Sequence, residues 1–257
     1  PFTMTNTLID SNKAGVTSGQ GANRGHGGGL YIYINSKWDD QTQTQVKGAA
    51  YLINNTIVDN YVSGSGGNQA GESGGVHIGD ANSIYGTWFN NIFWGNRSDN
   101  EETNRHNLSQ HGEDQFHIAS DYNDVEFSEH YPYMMGSNSY ELNPAFYSAT
   151  NYQLGTGSPL IGAGTSSFDG VTVPAKDILG NARPNPTGSK PDLGAYENAL
   201  EESPYPKQVT NLVGTFGSSQ VSLSWDANAE TDIDKYIVYA STVKDYTPAR
   251  TDSVGET

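Results

Sequence analysis

Tyr31, His77 and His117 each stand between two apolar residues: Leu30-Tyr31-Ile32, Val76-His77-Ile78 and Phe116-His117-Ile118. That alternation is the period of a strand, with the apolar pair on one face and the ring on the other. If the runs lie over one another, Leu30 aligns with Val76 and Phe116, and Ile32 aligns with Ile78 and Ile118. Both apolar sets then point inward, and the rings form an outward Tyr–His–His column. Such a column offers flat faces to a sugar and imidazoles that can carry a proton. Asp80 and Asp121 follow the runs closely and could place carboxylates beside it. A surface column without a ligand is the plainer reading, since one His in either place needs no explanation.

Other chemistry is thin. His106, His111, Glu113 and Asp114 could ligate a metal, but their spacing matches no compact ligand motif, so a solvated loop is the plainer reading. GHGGG at 25–29 lacks the Lys-Ser or Lys-Thr and the helix of a phosphate loop, and reads as a turn that needs several glycines. Asp232 and Asp234 could take calcium, against the reading of a solvated acidic turn. Arg24 and Lys47 fall on loops. No paired carboxylates of the glycosidase type and no nucleophile–base–orienter set are visible. Three Asn-x-Ser/Thr triplets, at Asn54, Asn96 and Asn107, fit the glycosylation sequon and mean little in a bacterial chain.

The elements that must position such residues are repeats. NTLIDSN (6–12), NNTIVDN (54–60) and NNIFWGN (90–96) each begin and end with Asn around an apolar centre. Their starts differ by 48 (54 minus 6) and 36 (90 minus 54). Self-similarity at such periods predicts a solenoid rather than one closed core. Each copy precedes one of the short runs GGLYI (28–32), GGVHI (74–78) and DQFHI (114–118). Each repeat therefore has at least two strands, and the stacked units are expected to be coils of a parallel β-helix. The second coil is placed at about residues 50–80 and the third at about 86–121. Asn12, Asn60 and Asn96 should sit at one corner and bond one another up the stack, since Asn tolerates left-handed backbone and its amide bonds locally. The polar stretches 35–47 and 97–114 are expected to be surface loops.

The 257 residues include no Cys, 30 Gly and 16 Tyr, and carry a net charge of -16. Acidic balance excludes a nucleic-acid partner, which needs Lys and Arg to displace counterions. It suits an extracellular surface, with calcium as a cofactor the acidic turns could take. Without disulfides, a bacterial exported protein fits better than a secreted eukaryotic mini-domain. No apolar run is long enough to span a membrane, and no signal peptide opens the chain. The chain enters a repeat almost at once, which is expected of a fragment of a longer protein.

The last part of the first two hundred residues carries NPAF (143–146), YQLGTGSPLIGAG (152–164), DILGNARP (177–184) and DLGAYE (192–197). In this order the motifs resemble the C-terminal end of pectate-lyase-like β-helix proteins of bacterial surfaces, the choice-of-anchor Q group. The resemblance covers roughly residues 6–197. It implies a right-handed parallel β-helix, export and a cell-surface anchor or secretion signal downstream. It also implies a fold that hosts lyases with a Lys or Arg base and hydrolases with clustered Asp residues. SPLIGAG reads as a buried strand, and DLGAYE as a last strand covering the open end of the stack.

EESPYP (201–206) is a linker by composition. Beyond it SQVSLSW alternates cleanly and KYIVYAS follows an acidic turn. Trp225 and Tyr236 to Tyr239 resemble a fibronectin type III domain, of which about half the length of about 100 residues is present. The expected class is therefore all-β: β-helix coils and cap over 1–200, a linker over 201–206, and an incomplete sandwich over 207–257. Two functions follow. One is a non-catalytic module of a secreted or cell-surface protein that binds polysaccharide or other surface proteins. The other is a polysaccharide lyase or glycoside hydrolase whose main catalytic residues lie upstream.

Overall fold

The computed structural model describes residues 1–15, 25–34, 37–63, 73–79, 84–99, 106–110, 117–203, 206, 209–218, 220–228, 233–241 and 253–257. The chain divides into two units, Pro1–Pro204 and Tyr205–Thr257. Both are all-β. Among the described residues, helix is confined to two single-turn 3-10 segments, Ser128–His130 and Pro132–Met134. No helix among the described residues is long and apolar enough to cross a membrane.

The first unit is a stack of short parallel strands laid down in successive passes. The first pass is β1 (Phe2–Thr5), β2 (Leu8–Asp10), β3 (Lys13–Ala14) and β4 (Leu30–Ile32). A hairpin, β5 (Lys37–Asp39) and β6 (Thr44–Val46), leads to the second pass: β7 (Gly48–Ile53), β8 (Thr56–Val58), β9 (Tyr61–Val62) and β10 (Val76–Ile78). The third pass is β11 (Ile84–Phe89), β12 (Ile92–Trp94), β13 (Arg97–Ser98) and β14 (Leu108–Gln110). The fourth supplies β15 (His117–Asp121) and β16 (Asp124–Val125). Strands from successive passes pair in four parallel sheets, ordered β1-β7-β11-β15, β2-β8-β12-β16, β3-β9-β13 and β4-β10-β14. Leu8 lies opposite Thr56 and Thr56 opposite Ile92, so the 48- and 36-residue offsets of the sequence are offsets of register.

Two corners in each pass explain the recurring Asn residues. The first residue of each corner takes a left-handed backbone: Asn6, Asn54, Asn90 and Tyr122 at one corner, Ser11, Asp59 and Gly95 at the other. Except after Asn6, where Thr7 follows, the next residue is an Asn that turns its amide into the stack. At the second corner Asn12 donates to Asn60 Oδ1 at 3.0 Å, Asn60 to Asn96 Oδ1 at 2.9 Å and Asn96 to Asn107 Oδ1 at 2.8 Å. At the first corner a further ladder, unread in the sequence, runs from Asn55 to Asn91 to Asn123, each step 2.9 Å. In both ladders the Oδ1 also accepts the backbone N–H of the Asn in the pass before, as from Asn55 to Asn91 and from Asn60 to Asn96. One amide thus satisfies several buried backbone groups that a tight corner leaves unpaired. The left-handed angles belong to Ser11, Asp59 and Gly95, not to the ladder residues Asn12, Asn60 and Asn96 that follow them.

The core runs up the axis through Leu52, Ile57, Val76, Ile84, Trp88, Phe93, Leu108 and Val125. β8 is buried on both faces and β12 nearly so, which is why their sequences read as continuous apolar runs rather than alternating ones, while β2 at the outer end of the sheet is half-buried. Their inner residues Ile57 and Phe93 join the axial core, while Val58 and Ile92 join a second cluster with Leu154, Leu160, Ile161 and Leu193. Gly28 and Gly29 of GHGGG lie where passes approach closely: a Cβ at Gly28 would come within 2.6 Å of the Gly74 oxygen. These glycines serve stacking.

Several sequence expectations change. The third run of the sheet through β4 and β10 is β14, so Val76 lies opposite Leu108 and Ile78 opposite Gln110. Ile118 lies opposite Gly86 in another sheet, and Phe116 falls outside the described residues. The stretch read as one long flank loop therefore contains β13 and β14, and the third pass ends there, before Asp121. Leu108 is the lone apolar residue of LSQ, too weak a signal to compete with DQFHI. SPLIGAG forms consecutive turns rather than a strand, with Leu160 and Ile161 buried.

DLGAYE is not a strand over the open end. It lies along the flank, where Gly194 N donates to Asn90 O at 2.7 Å and Ala195 N to Thr56 Oγ1 at 2.9 Å. Asn54 Nδ2 donates to Asp192 O at 3.0 Å, and Asn6 Nδ2 donates to Lys176 O. The closing segment therefore braces three passes sideways. With it run two antiparallel hairpins, β17 (Phe146–Ser148) with β18 (Asn151–Leu154) and β19 (Ser167–Phe168) with β20 (Val171–Thr172).

The end of the core beyond the fourth pass is covered instead by the 3-10 turns, through buried Tyr131 and Met134. The Tyr131 hydroxyl oxygen accepts Asn107 N–H at 3.1 Å, and burial pushes its ionisation up to about 12. Tyr131→Phe leaves that amide without its acceptor and should lower stability by about 1–2 kcal/mol, read as a shift in urea midpoint at constant slope. An unshifted midpoint would remove this bond from the account of how the end is held.

In the second unit β21 (Thr210–Phe216) pairs antiparallel with β22 (Val221–Asp226), and β23 (Ile237–Tyr239) with β24 (Ser253–Glu256). Trp225 meets Tyr236 edge to face at 5.3 Å, and the Tyr236 hydroxyl accepts Asn228 N–H at 2.9 Å.

Candidate functional site

The outward face of the sheet β4-β10-β14 holds Tyr31, His77 and Ser109 in register. The rings of Tyr31 and His77 stack at 5.3 Å with 14° between planes. The third member is Ser109, whose Oγ lies 2.7 Å from His77 Nδ1. His26 lies 4.7 Å from the His77 ring, and Tyr33 stacks on Tyr31 at 6.3 Å and 13°. Tyr31 is 49% exposed and Tyr33 54%, but His77 only 1%. His77 points away from the core, as the alternation predicts, yet neighbouring rings cover it. Gly79 lets the two tyrosines lie down: a Cβ there would meet the Tyr31 hydroxyl and the Tyr33 ring at 2.5 Å. The site is thus a ridge of stacked rings, with two tyrosines in solvent and an imidazole beneath them.

His117 is not part of this ridge. It lies opposite Tyr85 in the sheet β1-β7-β11-β15, with rings 4.5 Å apart and 2° from parallel. The physical reason is the assignment of the third run: β14 occupies the place expected for residues 114–118. Lys47 donates to the Tyr85 hydroxyl and sits 4.6 Å from the Tyr85 ring centroid. Lys47, Tyr85 and His117 therefore form a second aromatic group carrying a cation on one face. The link between Lys47 and His117 is not legible in the sequence, because it runs through Tyr85, which belongs to none of the recurring motifs.

Of the acidic candidates, Asp121 does not join either group. Asp121 is 7% exposed and holds a turn: it accepts from Tyr122 N at 2.8 Å, Asn138 N at 2.9 Å and Asn138 Nδ2 at 2.8 Å. Those bonds tie its carboxylate into the turn. Asp80, Arg24, His111, Glu113, Asp114 and Asp232 lie outside the described residues. His106 Nδ1 accepts Ser98 N–H at 3.0 Å and the ring packs on Phe127, a structural use. Among the described residues no three His, Asp or Glu side chains are grouped to hold a metal. The sequon residues Asn54, Asn96 and Asn107 are fully buried, out of reach of glycan addition in the folded chain.

The chain matches no protein-family model, no curated protein and no solved structure.

Proposed function

We propose that the first unit is a right-handed parallel β-helix of the pectate-lyase-like surface-protein class, followed by the start of a fibronectin type III-like module. Its function is that of an extracellular or cell-surface module of a bacterium that binds glycan without cleaving it. Four parallel sheets with Asn ladders at two corners, and the closing motifs of 143–197, support the architecture. One observation carries the function: the solvent-exposed pair Tyr31–Tyr33, stacked over a buried His77 on a rigid sheet. Parallel aromatic rings with exposed edges and hydroxyls suit the mixed apolar and polar surface of a sugar. The imidazole beneath them is shielded and Asp121 is tied into its turn, so among the described residues this group has no accessible acid–base pair of His77 with a carboxylate.

A glycan array, followed by titration of the best hit, tests this reading. Tyr31→Ala and Tyr33→Ala should each weaken binding about tenfold, or about 1.4 kcal/mol, with the melting temperature little changed. Undiminished binding in both variants would sink the assignment of this ridge.

The Lys47–Tyr85–His117 group favours a second reading, a polysaccharide lyase or glycoside hydrolase, because it sets an amine beside a phenol and an imidazole. New unsaturated or reducing ends that vanish in Lys47→Met and His117→Gln would establish that reading and overturn the non-catalytic one.

A further inference from the structure

The polar residues of DILGNARP and DLGAYE meet at one place inside the brace. Asp177, Arg183, Asp192 and Glu197 are all at most 8% exposed, and the side chains of Arg183 and Glu197 are fully buried. Arg183 Nε lies 3.4 Å from Glu197 Oε2, and its two terminal nitrogens donate to Asp192 O and Gly194 O at 3.2–3.3 Å. Glu197 accepts from Asn185 N at 3.1 Å and Asp192 N at 3.3 Å. Asp192 accepts from Gly162 N at 2.7 Å and Asn198 N at 2.6 Å. Asp177 accepts from Leu179 N, Asn181 N, Asn181 Nδ2 and Glu197 N.

The cluster gathers the whole closing segment, from Gly162 to Asn198, around three carboxylates and one guanidinium. The stack residues that touch the segment at this point, Asn54, Thr56 and Asn90, are uncharged. On β2, Asp10 acts on the neighbouring Tyr196. Negative charge is therefore in excess where water is excluded, and the seated segment favours a retained proton. Burial is the main cause that pushes Glu197 up to about 8, with Asp192 adding to it, and burial pushes Asp192 up to about 6. Burial also pulls Arg183 down, against the three carboxylates that hold it up.

We propose that residues 158–198 form a proton-dependent clasp: a proton retained between the buried Asp192 and Glu197 keeps the segment seated on Asn54 and Asn90, and its loss unseats the segment while the stack stays folded. The same backbone carbonyls link the two events. Asp192 O and Gly194 O face both Arg183 and Asn54, so a rearrangement of the charges moves the contact with the stack. Raised carboxyl groups make the clasp tightest below the ordinary carboxylate range and loosen it as pH rises through about 6 and about 8.

Hydrogen exchange of the full chain from pH 5 to pH 9, corrected for chemical exchange, tests this. The amides of Ile178, Gly194 and Ala195, which close the clasp on itself and on the stack, should open more readily as pH rises. The steepest rise is about tenfold per pH unit for one proton released, levelling above pH 8. Amides of β11 and β12 should stay protected throughout. In Glu197→Gln, which cannot ionise, the clasp amides should lose most of their pH dependence. A flat profile in the wild-type chain, an equal rise in β11 and β12, or an unchanged slope in Glu197→Gln would each overturn the proposal. If Glu197→Gln does not fold, the wild-type contrast between clasp and stack amides decides it.

Discussion

Replacing Asn91 with Ala should destabilise the first unit by about 3–5 kcal/mol, several times the effect of the same change at Asn12. Asn91 is fully buried, and its Oδ1 accepts both Asn55 N at 3.0 Å and Asn55 Nδ2 at 2.9 Å. Its own amide donates to Asn123 Oδ1, Leu52 O and Phe89 O at 2.8–3.1 Å. Alanine leaves donors and acceptors in a corner closed to water, and each buried orphan costs roughly 1–3 kcal/mol. Asn12, by contrast, is solvent-exposed at the outer rung of its ladder, and Asn60 Oδ1 keeps the Asn12 backbone N–H after truncation. About 1 kcal/mol or less is expected there. Urea midpoints of the two variants measure the difference. Equal losses would mean that the ladders do not hold the passes together.

Arg183→Met should cost about 3–5 kcal/mol at pH 8, because it leaves the buried negative charge of the Asp177, Asp192 and Glu197 cluster without its cation. It also removes the donors to Asp192 O and Gly194 O, the carbonyls through which the brace meets Asn54. The sign of the pH dependence follows from the raised carboxyl groups. Asp192 and Glu197 titrate near 6 and near 8 in the folded chain, above their ordinary values. Below the ordinary carboxylate range they are neutral and the loss of the cation matters least; the penalty grows as pH rises through both values. The gap in melting temperature between wild type and variant should therefore be smaller at pH 5 than at pH 8. An equal gap at both would show that Arg183 acts through packing alone.

The stacked parallel strands were legible where a repeat carries its own punctuation. NNTIVDN and NNIFWGN declare their length through terminal Asn and their burial through an unbroken apolar centre, and the register keeps their 36-residue offset. The second ladder could have been found from the Asn54-Asn55 and Asn90-Asn91 pairs, since the second Asn of each pair also recurs at 36 residues. β14 had no such signal: Leu108 is flanked by polar residues, and only Asn107, which carries on the ladder from Asn96, marks its start. For that reason the residue pattern alone puts His117 in the wrong sheet. In the closing segment the charged residues Asp177, Arg183, Asp192 and Glu197 gave no hint of burial. Charge ordinarily reads as surface, and only their convergence in space compensates it.

What residue order determined was local: an all-β chain, corners at the Asn motifs, Tyr31 and His77 turned to the same outer face, and a change of character after residue 200. Period and turn chemistry act over a few neighbouring residues, so they can be read from the chain alone. What only the tertiary structure decided was which run lies above which, that His77 is covered while Tyr31 and Tyr33 stay in solvent, and that DLGAYE lies along the flank. Those outcomes depend on the lengths of the polar inserts and on contacts between residues more than a hundred positions apart, such as Asn54 with Asp192. Periodicity places a side chain on one face of its strand; the segments that arrive from elsewhere determine whether that face meets water.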